Sequence, residues 1–414
     1  MTVKPASRWA RIPKPSAEES EQSQRTSELV QKYEKEGKTI TIMYEGDPVI
    51  FGHTNQALSK YLIEGAEKGL HMYLGMSKCL PELNNAIINF EKKYRGCEYL
   101  PEDVVVTQGV AGALARLHDA LLDPGDEIVA PDPSHYVGPP SSYLYMYEAK
   151  CTHFPCKEEE GWKPDLDQLR KAITNRSKAI VIVSPNNPCG AVYSDKTLKE
   201  VIDIAGEHDL PIISDEIYGL LTFDGIEAKS VACLTDDVPV IVLNGIAKIF
   251  QRTGWYIGYI CFHDPKGQIT EVKNAVKQVA RLYGRYGDRI PTPIVYAAAK
   301  AYEESLDAAK EMVGKLQERR DYTMKRLSEV EGISCVKPEA ALYAFPRVDA
   351  IGKTWTTDGA FIHDMIKEEQ VSFTAGSAFG KQGHGHFRTL LLPDMKTLEV
   401  VYDKLERFMK RHTG

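Results

Sequence analysis

Residues 239–259, PVIVLNGIAKIFQRTGWYIGY, set the terms for the rest of the chain. The apolar run Val240–Leu243 reads as a buried strand, it breaks at Asn244-Gly245, and a single lysine, Lys248, follows before a Gly/aromatic segment. An amine therefore stands just past the C-terminal end of a strand. Most lysines are solvated surface charges, but Ile246, Ala247, Ile249 and Phe250 surround this one with apolar chain. A desolvated lysine amine is a nucleophile toward carbonyl groups, which is what a Schiff base requires.

Outward from that strand the pattern repeats. From Pro101 onward, strands expected over 104–107, 127–130, 178–184, 210–214 and 238–243 alternate with helices, of which 109–122 and 194–208 are the clearest. Such βα units of roughly 30 residues imply an α/β fold, a mostly parallel sheet with helices on both faces. In these sheets ligands bind at the C-terminal ends of the strands. Before them, 27–36, 53–69 and 81–94 read as helices and 39–43 as a short strand. After them, 294–330 reads as one helix broken only by Gly314, leading to an α+β segment from Gly332 to His412. The expected division is a mobile polar arm over 1–24, a large domain over 55–300, and a smaller α+β domain built from 25–54 and 301–414.

Composition narrows the function classes. A chain of 414 residues, 43% hydrophobic and 26% charged, can bury a large core, and its formal charge of -7 argues against nucleic acid as an obligatory partner. No apolar run reaches the roughly 18 residues that span a bilayer, and the N-terminus lacks an apolar signal core. The expected setting is cytoplasmic, with no membrane partner. The eight cysteines lack C-x-x-C spacing and are expected to be reduced thiols. Cys151, His153 and Cys156 could imitate a metal site, but no second cluster at ligand spacing completes it, so no metal is expected.

Three strand ends carry polar groups of note. In Ser184-Pro185-Asn186-Asn187-Pro188-Cys189-Gly190 an amide stands in a loop that could equally be a rigid turn. In Ser214-Asp215-Glu216-Ile217-Tyr218 an apolar strand runs into a carboxylate, with a phenol three residues on; such an acid can also be a helix cap. Lys248 is the third. A fourth element, Thr107-Gln108-Gly109-Val110-Ala111-Gly112, opens a helix with small residues that leave backbone N–H groups free for an anion. Together these groups meet the needs of pyridoxal phosphate: a carboxylate for the ring nitrogen, an amide and a phenol for the ring oxygen, an amine for the aldehyde, a helix N-terminus for the phosphate.

With these motifs in this order, the chain from about residue 30 to 412 resembles the fold-type I aminotransferases of the aspartate/alanine aminotransferase class. The resemblance implies a seven-stranded-type central sheet, mostly parallel, in the large domain, and pyridoxal 5'-phosphate as cofactor. It makes Lys248 the Schiff-base lysine, Asp215 the partner of the ring nitrogen, and Asn187 and Tyr218 the pair on the ring oxygen. Val110 and Ala111 fall at the phosphate, and Tyr73 matches a tyrosine that reaches the phosphate from the neighbouring subunit, so a homodimer with shared sites is implied. Arg388, in HFRTLLL, matches the arginine that holds the substrate α-carboxylate, a task suited to a bidentate guanidinium. The ring that stacks on the cofactor falls at His135 or Tyr136, with Tyr136 preferred. Arg285 stands about where dicarboxylate-specific relatives carry a second arginine, and could equally be a structural arginine.

The pattern departs from the family at the phosphate. Tyr256 stands eight residues after Lys248, where an arginine is usual; Ala247 and Ala111 replace hydroxyl residues. A dianion without that cation loses a charge-assisted bond worth roughly 1.5–3 kcal/mol, and Arg252 is the candidate to supply the charge. The implied reaction is transfer of an amino group from an L-amino acid (aspartate, glutamate, alanine or aromatic) to a 2-oxo acid in a ping-pong cycle, with Lys248 as general base and acid. The alternatives are a β-eliminating lyase using the same lysine and cofactor, or a non-catalytic regulatory binder on the same fold.

Overall fold

The computed structural model describes residues 26, 28–70, 75–137, 144–285 and 289–413. The expected mobile arm, 1–24, and Tyr73 lie outside the described residues. After a helix over 28–35 comes a two-residue strand, β1 (Thr41–Ile42). The large sheet follows: β2 (Val104–Gln108), β3 (Glu127–Asp132), β4 (Lys150–Lys157), β5 (Lys163–Pro164), β6 (Ser177–Val183), β7 (Ile212–Asp215), β8 (Val240–Gly245) and β9 (Ile257–His263). Their order across the sheet is β2-β9-β8-β7-β6-β3-β4-β5. The run β8-β7-β6-β3-β4 is parallel, whereas β9 is antiparallel to both β2 and β8. Seven strands match the expected sheet; the eighth, β5, is a two-residue antiparallel extension of β4.

Strand β8 shows why its sequence is continuously apolar. All six of its residues are buried. Val240 and Val242 join one hydrophobic cluster, Ile241 and Leu243 the other, so successive side chains enter cores on opposite faces of the sheet. The Gly/aromatic segment after Lys248 forms a single turn, Thr253–Trp255, and then enters β9 at Ile257. Its Gly258 packs so closely on the helix Gly109–Leu121 that a Cβ there would lie 2.3 Å from the Gly109 carbonyl carbon. That close approach fixes the helix start against the end of the sheet.

The remaining strands are short. β10 (Ile333–Ser334) pairs with β12 (Arg347–Val348), and β11 (Tyr343–Ala344), β15 (Phe387–Leu390) and β14 (Thr374–Ala375) form a three-stranded antiparallel sheet. β13 (Val371–Ser372) runs parallel to β1, Thr41 opposite Val371. That pairing carries residues 44–47, from the start of the described chain, to the C-terminal ends of the large sheet.

Two expectations need correction. The helix expected over 294–330 is two helices, Thr292–Glu303 and Asp307–Ser328, and the break falls at 304–306. Ser305 donates to the Asp307 carboxylate at 2.8 Å at the break, whereas Gly314 lies inside the second helix with open space around it. An exposed helical glycine costs only about 1 kcal/mol, too little to stop a helix of this length. The eight cysteines are not all free thiols: Cys97 and Cys233 are disulfide-bonded, with Cα atoms 5.7 Å apart. They lie 136 residues apart in sequence, and the turn Val231–Leu234 folds beside the end of Glu91–Arg95, so no local spacing announces the pair.

Candidate active site

The strand ends converge on one cavity of about 910 Å³. At the end of β7, Asp215 is buried and its carboxylate accepts the Ile217 N–H at 3.2 Å. Burial pushes its pKa up to about 7, against the pull of that hydrogen bond. Among the described residues it forms no ion pair. A carboxylate so poorly compensated on a cavity wall fits a protonated ring nitrogen. Three residues on, the buried Tyr218 hydroxyl meets the Tyr343 hydroxyl at 3.0 Å. Burial, then the neighbouring Tyr343, raises the Tyr218 pKa well above the usual phenol value, so it keeps its proton.

The loop after β6 presents Asn187, whose Oδ1 accepts from Arg388 Nη1 at 3.0 Å. Its amide nitrogen is left as a donor toward the cavity. Gly190 closes this loop at φ +69°, and a Cβ there would strike the Ala340 carbonyl at 2.6 Å, so the turn needs glycine. Arg388 lies on β15, opposite Thr374, and is 9% exposed. Its guanidinium sits 4.3 Å from the centre of the Tyr343 ring and 4.9 Å from that of Phe379. Nη2 also donates to the Tyr44 carbonyl at 2.7 Å.

Lys248 stands in the turn between β8 and β9, half-buried between the buried Ile246, Ile249 and Phe250. Its Nζ donates to the Gly46 carbonyl at 2.7 Å. Lys248 itself lines the cavity. One short segment, Tyr44 to Asp47, thus holds both Lys248 and Arg388, and Asp47 accepts from Thr253 Oγ1 at 3.0 Å.

At the other end, Gln108, Gly109, Val110 and Ala111 line the cavity where the helix Gly109–Leu121 begins, and no side chain caps that start. Its free N–H groups fit a phosphate. Tyr256 lines the same region at φ +50° and is 67% exposed. Arg252 is 7% exposed and lines the cavity, but Nη1 donates to Thr54 Oγ1 and the Gln251 carbonyl, each at 2.9 Å, and Nη2 to the Asn55 carbonyl. Among the described residues it has no carboxylate partner. Arg252 thus places a charge in the wall, with much of its donor capacity spent on two carbonyls and a hydroxyl of the protein.

The stacking position also sharpens. His135 and Tyr136 both line the cavity. Tyr136 is 3% exposed and packs into the cluster with Val183 and Ile213, whereas His135 keeps an open face. Crowding by protein on its other sides, then the charges of Arg388 and Lys248, lower the His135 pKa to about 4. It therefore presents a neutral ring beside the amine. The helix Thr270–Arg285 ends on Arg285, whose side chain, like Tyr73, lies outside the described residues. Sequence reading missed Tyr343, Phe379 and the Tyr44–Asp47 segment; the one local signal was Gly46-Asp47-Pro48, a turn motif.

Comparison with known proteins agrees with this geometry. Residues 45–405 match the family model described as aminotransferase class I and II. The glutamate-pyruvate aminotransferase AlaA of Escherichia coli K12 is 30% identical over 380 residues, covering 91% of this chain and 92% of that protein. The aspartate aminotransferase of Pyrococcus abyssi is 34% identical over 362 residues, 86% of this chain and 89% of that one. The solved structure of an alanine aminotransferase from Pyrococcus furiosus superposes with a TM-score of 0.90 at 40% identity, covering 99% of this chain and 100% of that one.

Proposed function

Because the chain belongs to the class I and II aminotransferases, a pyridoxal-phosphate-dependent family, we propose that it moves the amino group of alanine or glutamate to a small 2-oxo acid. The observation that carries this reading is the convergence of Lys248, Asp215, Tyr218, Asn187 and Arg388 on one cavity. The names of two similar proteins, a glutamate-pyruvate and an alanine aminotransferase, favour the small substrates. Bound pyridoxal phosphate supplies an electron sink for the charge that develops at the substrate Cα. Asp215 holds the proton on the ring nitrogen, and Tyr218 and the Asn187 amide donate to the ring oxygen. Val110 and Ala111 offer N–H groups to the phosphate, with Arg252 as the nearby cation.

Arg388 grips the substrate α-carboxylate, exchanging the Tyr44 carbonyl for a charged acceptor. Lys248, released from Gly46, would take the proton at the substrate Cα and hold it on Nζ for its return. His135 is the ring that faces the cofactor and Tyr136 supports it from the core side, the reverse of the preference drawn from sequence. Arg285 remains our candidate for the distal carboxylate of glutamate or aspartate.

The functional unit in this reading is a homodimer, with Tyr73 reaching the partner's site. The exposed Val49 and Ile50 beside the cavity support it, since apolar residues of that kind favour a covered surface. Each protomer divides into a large domain over 55–300 and a small one over 25–54 and 301–414. A cytoplasmic setting agrees with the six free thiols, and alkylation with mass spectrometry would tell whether Cys97 and Cys233 stay bonded there.

The test is the absorbance of the purified protein as amino acids are added one at a time. Loss of the cofactor's visible band with alanine or glutamate, and its return with pyruvate or 2-oxoglutarate, is the expected result. A protein that releases ammonia and pyruvate without an added 2-oxo acid would be a lyase instead.

A further inference from the structure

Tyr343 joins groups that approach the cavity from separate elements. Its hydroxyl meets Tyr218 at 3.0 Å, with the two rings nearly perpendicular at 82°. Its ring lies 4.3 Å from the Arg388 guanidinium, and the Phe379 ring lies 4.9 Å from it. A Cβ at Gly46 would lie 2.2 Å from the Tyr343 hydroxyl oxygen. Tyr343 therefore fills the space of the missing side chain and sets how closely the Tyr44–Asp47 segment, with its bonds to Lys248 and Arg388, approaches the site. The residue is 3% exposed, and β11 holds it in register opposite Leu390, two residues from Arg388.

We propose that Tyr343 is a positioning residue of the transfer site: its hydroxyl fixes the direction of the Tyr218 proton, and its ring fixes the plane of the Arg388 guanidinium. This rests on the roles given above to Tyr218 and Arg388. Each phenol has one proton to donate. If Tyr218 spends its proton on the cofactor's ring oxygen, the bond between the two hydroxyls must be donated by Tyr343. That donation polarises the Tyr218 O–H and strengthens its bond to the ring oxygen, because linked hydrogen bonds reinforce one another in a dry site. The second role is separable from the first. A guanidinium packed against two aromatic rings is restrained in its orientation by cation–π attraction, and that orientation decides whether a carboxylate meets it edge-on with two parallel bonds.

Two variants of the cofactor-loaded enzyme separate these roles. Tyr343→Phe keeps the ring and removes the hydroxyl. The expected result is an upward shift of about half a unit in the pH midpoint of the cofactor's visible absorbance. In this variant kcat falls several-fold, while KM for alanine and the Kd of propionate, a non-reacting carboxylate probe, stay within about twofold of wild type. Tyr343→Ala removes both, and propionate binding weakens by about tenfold or more. Thermal melts of both variants report on folding.

An unchanged absorbance midpoint in Tyr343→Phe, or unchanged propionate affinity in Tyr343→Ala, overturns the proposal. If wild type converts alanine while both variants match it in every readout, only Tyr343 loses its role. If the wild-type cofactor band does not respond to any amino acid, the functional reading itself fails, and this inference with it.

Discussion

The two ends of the cavity are built on different principles. At the ring end, Lys248, Arg388, Asn187, Tyr218 and Tyr343 hold one another or the Tyr44–Asp47 segment through bonds of 2.7–3.0 Å. At the phosphate end, backbone N–H groups at a helix start face the cavity with no side chain capping them, Tyr256 points largely outward, and Arg252 is tied to its own wall. The ring end is ordered by side chains, so it should be sensitive to single substitutions. The phosphate end relies on backbone, and backbone amides and a helix dipole survive most side-chain changes. Transition-state chemistry is assigned to the end where geometry is most constrained, and anchoring to the end that tolerates variation.

The sharpest way to break this contrast is Lys248→Ala. Among the described residues that line the cavity Lys248 is the one amine, so kcat should fall by at least about 10⁴-fold, measured by production of pyruvate from alanine and 2-oxoglutarate. A fall of tenfold or less would mean that another group moves the proton.

The cofactor-free protein offers a second test, through pH. The folded Asp215 carboxyl has a pKa raised to about 7 by burial, above the roughly 3.9 of an unfolded aspartic acid. The folded state therefore binds the proton more tightly. The stability this contributes is complete below about pH 4 and is lost as pH rises through about 7. A gap of about three units corresponds to a loss on the order of 4 kcal/mol. Glu91, also raised to about 7 by burial, adds a loss in the same direction. Urea unfolding at pH 5 and pH 8.5 should show the wild-type protein weakening at the higher pH, and Asp215→Asn weakening less. Equal slopes would remove Asp215 from the account. Bound cofactor should reverse the trend by giving the carboxylate a cation.

Arg388→Lys is milder. A lysine keeps the charge but loses the paired donors and the flat face that lies against Tyr343 and Phe379. We expect kcat/KM for alanine to fall about 100-fold, with the larger share in KM, and cofactor affinity to stay within about twofold.

How far the sequence foretold these two ends follows from where their information lies. Asn187, Asp215 and Lys248 were legible because each ends an apolar run, and a parallel sheet brings the C-terminal ends of its strands to one edge. Arg388 was legible only through resemblance, since nothing in its neighbourhood sets it apart from a surface arginine. Tyr343 was not legible at all, and Gly46 only as part of a turn. Their meeting depends on β11 pairing with β15 and β1 with β13, Tyr343 opposite Leu390 and Thr41 opposite Val371, contacts between segments well separated in the chain that leave no local pattern. The break at 304–306 was missed for a different reason: helical periodicity continues on both sides of it, and a short polar interruption carries less weight in a window than a glycine does.

The smallest predicted effects fall on the phosphate end and decide how it works. Arg252 has spent both Nη1 protons and one Nη2 proton on protein acceptors. That leaves Nε and one Nη2 proton, the edge that binds oxyanions side-on. If this edge reaches the phosphate, Arg252→Ala should weaken pyridoxal phosphate about tenfold or more, the equivalent of one charge-assisted bond. Tyr256→Arg, which restores a cation beside the helix start, should tighten it about tenfold and rescue Arg252→Ala in the double variant. If the helix start alone carries the phosphate, Arg252→Ala leaves the Kd unchanged while Tyr256→Arg still tightens it. Tyr256 is mostly exposed and its αL backbone costs an arginine no more than a tyrosine, so the substitution tests charge without disturbing the fold. Equilibrium dialysis at two salt concentrations separates the cases, because a contribution from Arg252 or an introduced arginine weakens with salt.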